Sequence, residues 1–124
     1  MSIKTELSPV HLLELAAQAS ELPWQHVASH GADHRVRLSV THGAGVWHHH
    51  PNTSETFVVL EGTLHLEFEA GPAVTLKAGD LLCVPQGVVH RSRSEERCVS
   101  LSVETLAPEV VLEPHLETHL EDNI

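Results

Sequence analysis

The chain has 124 residues and a net charge of −10, from 7 basic and 17 acidic side chains. That length suits one domain with one core, and the summed negative field repels phosphates, so neither nucleic acid nor an anionic membrane is expected as a partner. Aromatic residues make up only 3%, which leaves aliphatic side chains to fill the interior, while twelve histidines stand out as an excess.

In chain order, Ser8 and Pro9 carry a helix-start signal, a capping residue followed by proline at the first helical position. The spacing predicts a helix over about residues 9–20, with Val10, Leu13 and Ala17 on its packed side and Pro23 as its stop. After Trp24 short strands follow, over about 24–104. Val36, Leu38 and Val40 alternate with polar neighbours; Thr56 to Leu60 is a strand; Leu64, Leu66 and Phe68 alternate with His65, Glu67 and Glu69. Val74 to Leu76, Leu81 to Val84, Val88 to Arg91 and Cys98 to Val103 complete the set, with glycine and proline turns between them. Short strands so punctuated predict an all-β sandwich or barrel. Residues 105–124 change character, with acids, prolines and little alternation, and are read as a tail that packs only partly. His115 and His119 in that tail are read as solvated rather than as a second metal site. Cys83 and Cys98 lie among apolar residues and are expected to be buried, reduced thiols. No run suits a signal peptide or a membrane span, so a cytoplasmic protein is expected.

The chemistry concentrates at Trp47 to Thr56, whose core is His48, His49, His50 and Glu55. On extended backbone His48 and His50 share a face, with Cα atoms roughly 6.5–7 Å apart, which suits two imidazoles converging on one ion. His49 then points away. Pro51 to Ser54 is turn chemistry that returns Glu55 to the same interior, and a turn at Pro85 to Gly87 leads to His90, a third imidazole. Three imidazoles and one carboxylate suit one divalent transition-metal ion: Fe, Mn, Ni, Zn or Co. Phe57 and Val59 share the face of Glu55 and are candidates for an apolar pocket wall. Ser92 shares the face of His90, whereas Arg91 and Arg93 alternate away from it, and His65 sits on a polar strand face.

These residues also resemble two motifs of the cupin superfamily. The first reads G-x5-H-x-H, three or four residues, E, six residues, G, and is met by His48, His50, Glu55 and Gly62; its leading glycine is displaced, with Gly43 and Gly45 bracketing the place. The second reads G-x5-P-x-G-x2-H-x3-N and is met by Gly79, Pro85, Gly87 and His90, with Ser94 at the last position. In finer detail the chain is similar to short single-domain bacterial cupins of the mannose-6-phosphate isomerase-like kind. The resemblance implies a double-stranded β-helix, a jelly-roll barrel, with a short N-terminal α-helix. It also implies a metal held by His48, His50, Glu55 and His90, and a homodimer.

Four protein ligands leave open positions on an octahedral ion, which marks a catalytic rather than a closed structural site. The expected function is that of a metal-dependent enzyme acting on a small polar organic molecule, by oxygenase, isomerase, lyase or decarboxylase chemistry. The alternative is a non-catalytic module that binds or senses a small molecule. Fold alone does not choose between them.

Overall fold

The computed structural model describes residues 7–121, with side chains described as far as residue 117. One short helix, α1 (Leu12–Ala16), precedes eight strands: β1 (Trp24–His30), β2 (Arg35–Ala44), β3 (His48–His49), β4 (Glu55–Glu61), β5 (Thr63–Phe68), β6 (Val74–Lys77), β7 (Leu81–Val84) and β8 (His90–Glu104). A ninth strand, β9 (Val111–Leu112), and a second helix, α2 (Pro114–Glu121), follow. All pairings are antiparallel, and the sheet runs β1-β2-β8-β3-β9, with β4 and β5 also on β8, β7 on β4 and β6 on β5. The two predicted strands at 88–91 and 98–103 are one continuous strand of 15 residues, β8, with register shifts against β2 and β4 that bend it.

The core lies in two layers. Inside the barrel Phe57, Val59, Leu64, Leu66, Leu76, Val84 and Cys98 pack together. Behind β2 and β8 a second layer joins Leu38, Val40 and Val99 to Ala16 of α1. The alternation of Val36, Leu38 and Val40 is therefore real, but its apolar face looks outward to α1, and the polar face of β2 lines the barrel. The predicted helix over 9–20 shrinks to five residues, because no side chain caps its N-terminus at His11 and its last turn tightens into Gln18→Leu15 and Ala19→Ala16 bonds. Its packed side is also different: Leu12, Leu15, Ala16 and Ala19 face the sheet, while Val10 and Leu13 are exposed.

Two glycines tie the motifs to the backbone. Gly62 turns β4 into β5 at φ +84, and a Cβ there would lie 2.7 Å from the Arg97 carbonyl oxygen, so no other residue fits. Gly87, at φ +82, donates its N–H to the His50 carbonyl at 2.9 Å, which sews the turn before His90 to the strand segment carrying His50. The expectation of two buried thiols holds for Cys98 and fails for Cys83, which is exposed. On β7 the alternation buries Val84 and turns Cys83 outward.

The segment after Thr105 is anchored to the β3 region at several points. Asn52 accepts from the Glu109 N–H at 2.9 Å and donates to the Ala107 carbonyl at 3.1 Å, β9 pairs with β3, and Glu117 of α2 accepts from the Trp47 N–H at 2.5 Å. Two of the acids in that segment, Glu113 and Glu117, contact the β3 region, through His49 and the Trp47 N–H. His115 is largely exposed, within 3.7 Å of carboxylate oxygens of Glu69 and Glu113, and the side chain of His119 lies outside the described residues.

Candidate metal centre

Among the described residues, His48, His50, Glu55 and His90 form a cluster able to hold a metal ion, with one ligand atom from each lying within 4.8 Å of all the others. Three strand segments bring them together: His48 on β3 pairs directly with His90 on β8, and Glu55 opens β4 opposite Val84 of β7. His50 directly follows β3, two residues after His48, so it shares the face of His48, as extended backbone requires. The ring centroids of His48 and His90 are 4.5 Å apart, and those of His48 and His50 are 5.0 Å apart. His90, Glu55 and His50 are buried, at 1, 2 and 5% exposure, and His48 is half-buried.

Each imidazole is held from behind by a backbone carbonyl. Nδ1 of His48 reaches Val46 O at 2.9 Å, Nδ1 of His50 reaches Glu109 O at 2.8 Å, and Nδ1 of His90 reaches Val88 O at 2.8 Å. A carbonyl only accepts, so the proton sits on Nδ1 in all three rings and the Nε2 lone pairs point inward. This is how metal-ligating histidines are usually oriented.

Nε2 of His50 and of His90 and Oε1 of Glu55 are buried and hydrogen-bond to no protein group. Oε1 lies 3.2 Å from His50 Nε2 and 3.6 Å from His90 Nε2 without hydrogen-bond alignment. Lone pairs facing a carboxylate oxygen at this range repel unless positive charge sits among them. A divalent cation held by these four residues would supply it. The donor set therefore fits a transition-metal ion.

The electrostatics agree. Burial alone would raise the Glu55 carboxyl, but in the metal-free cluster hydrogen bonds from His50 and His90, once a proton sits on their Nε2, and the Arg37 charge outweigh it and hold Glu55 well below the ordinary carboxylate range. Glu55 pushes the His50 imidazole up, against its burial, and burial pulls the His48 imidazole down. Arg37 divides the work of the carboxylate: its Nη2 donates to Glu55 Oε2 at 2.7 Å, which leaves Oε1 for the cluster. Glu104, also buried, takes the same Nη2 at 3.1 Å.

The other predicted residues sort clearly. Phe57 and Ser92 line the cavity beside the cluster, whereas Val59 belongs to the barrel core. His49 turns away as expected, though not to open solvent, since Nδ1 meets Glu113 Oε1 at 2.8 Å. Arg91 and Arg93 lie on the far face, bound to Glu67, with Arg91 stacked over Trp47 at 4.9 Å. His65 is half-buried and bonds Thr75 at 2.9 Å. The sequence reading missed Arg37, Glu104 and the Glu109 carbonyl. The alternation of Arg37 with Leu38 did mark two faces, but both faces of β2 are covered, and no local signal says which lines the barrel.

No helix among the described residues is long and apolar enough to cross a membrane. Residues 34–104 match the family model described as the cupin domain. The protein YdbB of Bacillus subtilis (strain 168) is 43% identical over 102 residues, covering 82% of this chain and 90% of its own. A cupin-2 domain containing protein from Shewanella frigidimarina NCIMB 400 is 27% identical with a TM-score of 0.74, covering 86% of this chain and 98% of that one. A conserved protein with a double-stranded β-helix domain from Klebsiella pneumoniae is 25% identical with a TM-score of 0.75, covering 90% of this chain and 96% of that one. The all-β barrel with its short N-terminal helix is thus a double-stranded β-helix, and the chain belongs to the cupin family.

Proposed function

We propose that the chain binds one divalent transition-metal ion (iron, manganese, nickel, zinc or cobalt) through His48, His50, Glu55 and His90 and is a metal-dependent enzyme acting on a small polar organic molecule. One observation carries this reading: the unpartnered Nε2 and Oε1 atoms converge on the wall of a cavity of about 430 Å³, large enough for a small substrate. An octahedral ion held by these four ligands would have two positions free for a bidentate oxygen ligand. The metal would supply Lewis acidity to that ligand. The protein's part is fixed by its own groups. The three backbone carbonyls hold the rings, Arg37 keeps Glu55 charged and turned by one oxygen toward the cluster, and Phe57 and Leu64 shed water from the cavity wall. Oxygenase, isomerase, lyase and decarboxylase chemistry all remain compatible with this arrangement.

One observation favours the second reading, a non-catalytic module that binds or senses its ligand. Among the described residues, apart from the four of the cluster, no Asp, Glu, His, Lys or Cys lines the cavity, so none of them offers a substrate a spare general base. Cobalt substitution tests the shared premise. A weak, octahedral-like visible spectrum that shifts on titration with oxalate is expected. An intense tetrahedral spectrum that ignores oxalate would mean a closed structural site and overturn both readings. Metal-dependent turnover of a bound ligand then separates enzyme from module.

A further inference from the structure

The cavity side of β2 and β8 carries hydroxyls where a barrel interior would ordinarily carry aliphatic groups. On the outward face of the same strands Leu38, Val40 and Val99 are fully buried. On the inward face Ser39 stands directly opposite Ser100, and Gln25 of β1 stands opposite Ser39, which makes a cross-strand row of three polar side chains. Ser92 lies farther along β8, two residues from His90. All four line the same cavity as the metal cluster.

These hydroxyls differ from their neighbours in one respect. Ser102 bonds Arg37 at 3.2 Å and Glu104 at 3.4 Å, and Ser94 lies 3.5 Å from the Thr41 hydroxyl, so both are used within the protein. Among the described residues, the hydroxyls of Ser39, Ser92 and Ser100 have no such partner, although Ser39 and Ser100 are only 8 and 4% exposed. A hydroxyl so placed is satisfied by whatever fills the cavity, water or ligand.

The charge balance narrows the ligand. Among the described residues, Arg37 is the one basic side chain other than histidine in the lining, and all its nitrogens are engaged: Nε with Ser102, Nη1 with Gln25, and Nη2 with Glu55 and Glu104. No cation is left over for a phosphate or a second carboxylate. The part of a ligand that lies beyond the metal therefore meets neutral donors and acceptors: three hydroxyls, and the Gln25 amide nitrogen, whose oxygen already faces Arg37.

We propose that the cavity is built for a short polyhydroxylated acid, with its carboxylate and adjacent hydroxyl at the metal and its further hydroxyls on Ser39, Ser100 and Ser92. This rests on the metal-centre reading above. Ser39, Ser92 and Ser100 set specificity and leave the metal untouched.

The test uses the full chain loaded with Co²⁺ and follows the visible spectrum during titration with four ligands. Oxalate checks the metal centre alone. Threonate and α-hydroxybutyrate have the same four-carbon chain and the same chelating pair, and differ in two further hydroxyls. Threonate is expected to bind about tenfold tighter, the value of two modest hydrogen bonds. In the Ser39→Ala/Ser100→Ala variant that preference should fall toward unity while oxalate affinity stays unchanged, which also shows that the variant is folded; Ser92→Ala gives a smaller loss. Equal affinity of the wild-type protein for threonate and α-hydroxybutyrate overturns the proposal with no variant needed. Tighter binding of phosphoglycerate than of threonate overturns it too, since that requires a free cation. Failure of oxalate to bind overturns the metal-centre reading beneath it, and this proposal with it.

Discussion

Replacing His50 by alanine and replacing its neighbour His49 should have unlike consequences. His50→Ala removes an inward Nε2, and metal retention after dialysis should fall at least about tenfold, as for His48→Ala and His90→Ala. His49→Ala removes only the bond to Glu113 on the opposite face, so retention should stay within about twofold; equal loss in both variants would mean that the strand register is wrong. Acid should act through the same rings. Binding needs neutral imidazole, so a ring whose protonation is favoured gives up metal first as pH falls. Contact with Glu55 raises His50 above the usual value of about 6.5, so release should begin there; His48, lowered by burial, protonates later, and Glu55, held low, stays ionised throughout. Equilibrium dialysis should show full occupancy at pH 8 and at least tenfold weaker binding at pH 5, and constant occupancy across that range would refute the three-histidine ligand set. The four cluster residues were legible in the sequence because alternation and turn chemistry act over a few neighbouring residues. Arg37 and the Glu109 carbonyl were not legible, since they meet the cluster from 18 residues before Glu55 and 59 residues after His50.

The segment from Thr105 through α2 is a strap rather than a tail. Its carbonyl at Glu109 orients His50, its strand β9 pairs with β3, and Val110 lines the cavity. Asn52 is the clasp, since its amide bonds both Ala107 O and Glu109 N. Asn52→Ala should therefore weaken metal binding severalfold without changing any ligand, and ending the chain after Thr105 should weaken it on the order of 10–100-fold, the usual effect of losing an outer partner of a ligating histidine. Calorimetric titration of the metal-free proteins with Zn²⁺ measures both; unchanged affinity on truncation would show that the strap does not position His50. The strap was missed because its apolar residues lack a helical or strand period, and a two-residue strand leaves no pattern to read. The N-terminal helix was misjudged for a related reason. Its seat is set by Leu38, Val40 and Val99 on distant strands, which select Ala16 and its neighbours over the Val10 and Leu13 side.

Val46, Val110, Val111 and Leu112 are all substantially exposed, at 53, 54, 42 and 58%, and β9 is the last strand of its sheet path, with no strand on its outer edge among the described residues. Exposed apolar edges of this kind are normally covered. A homodimer that joins these edges is expected, with sedimentation showing a dimer at high micromolar concentration and Leu112→Glu shifting it toward monomer. A wild-type monomer at that concentration would refute it. The barrel itself closes on β8, which pairs with β2, β3, β4 and β5. Before β8 exists, the chain can form only β1 with β2, β4 with β7 and β5 with β6, three pieces with no strand in common. Residues 90–104 are therefore the segment that joins those pieces into one barrel. His90 begins that strand, so the third imidazole of the cluster and the closure of the barrel depend on the same segment.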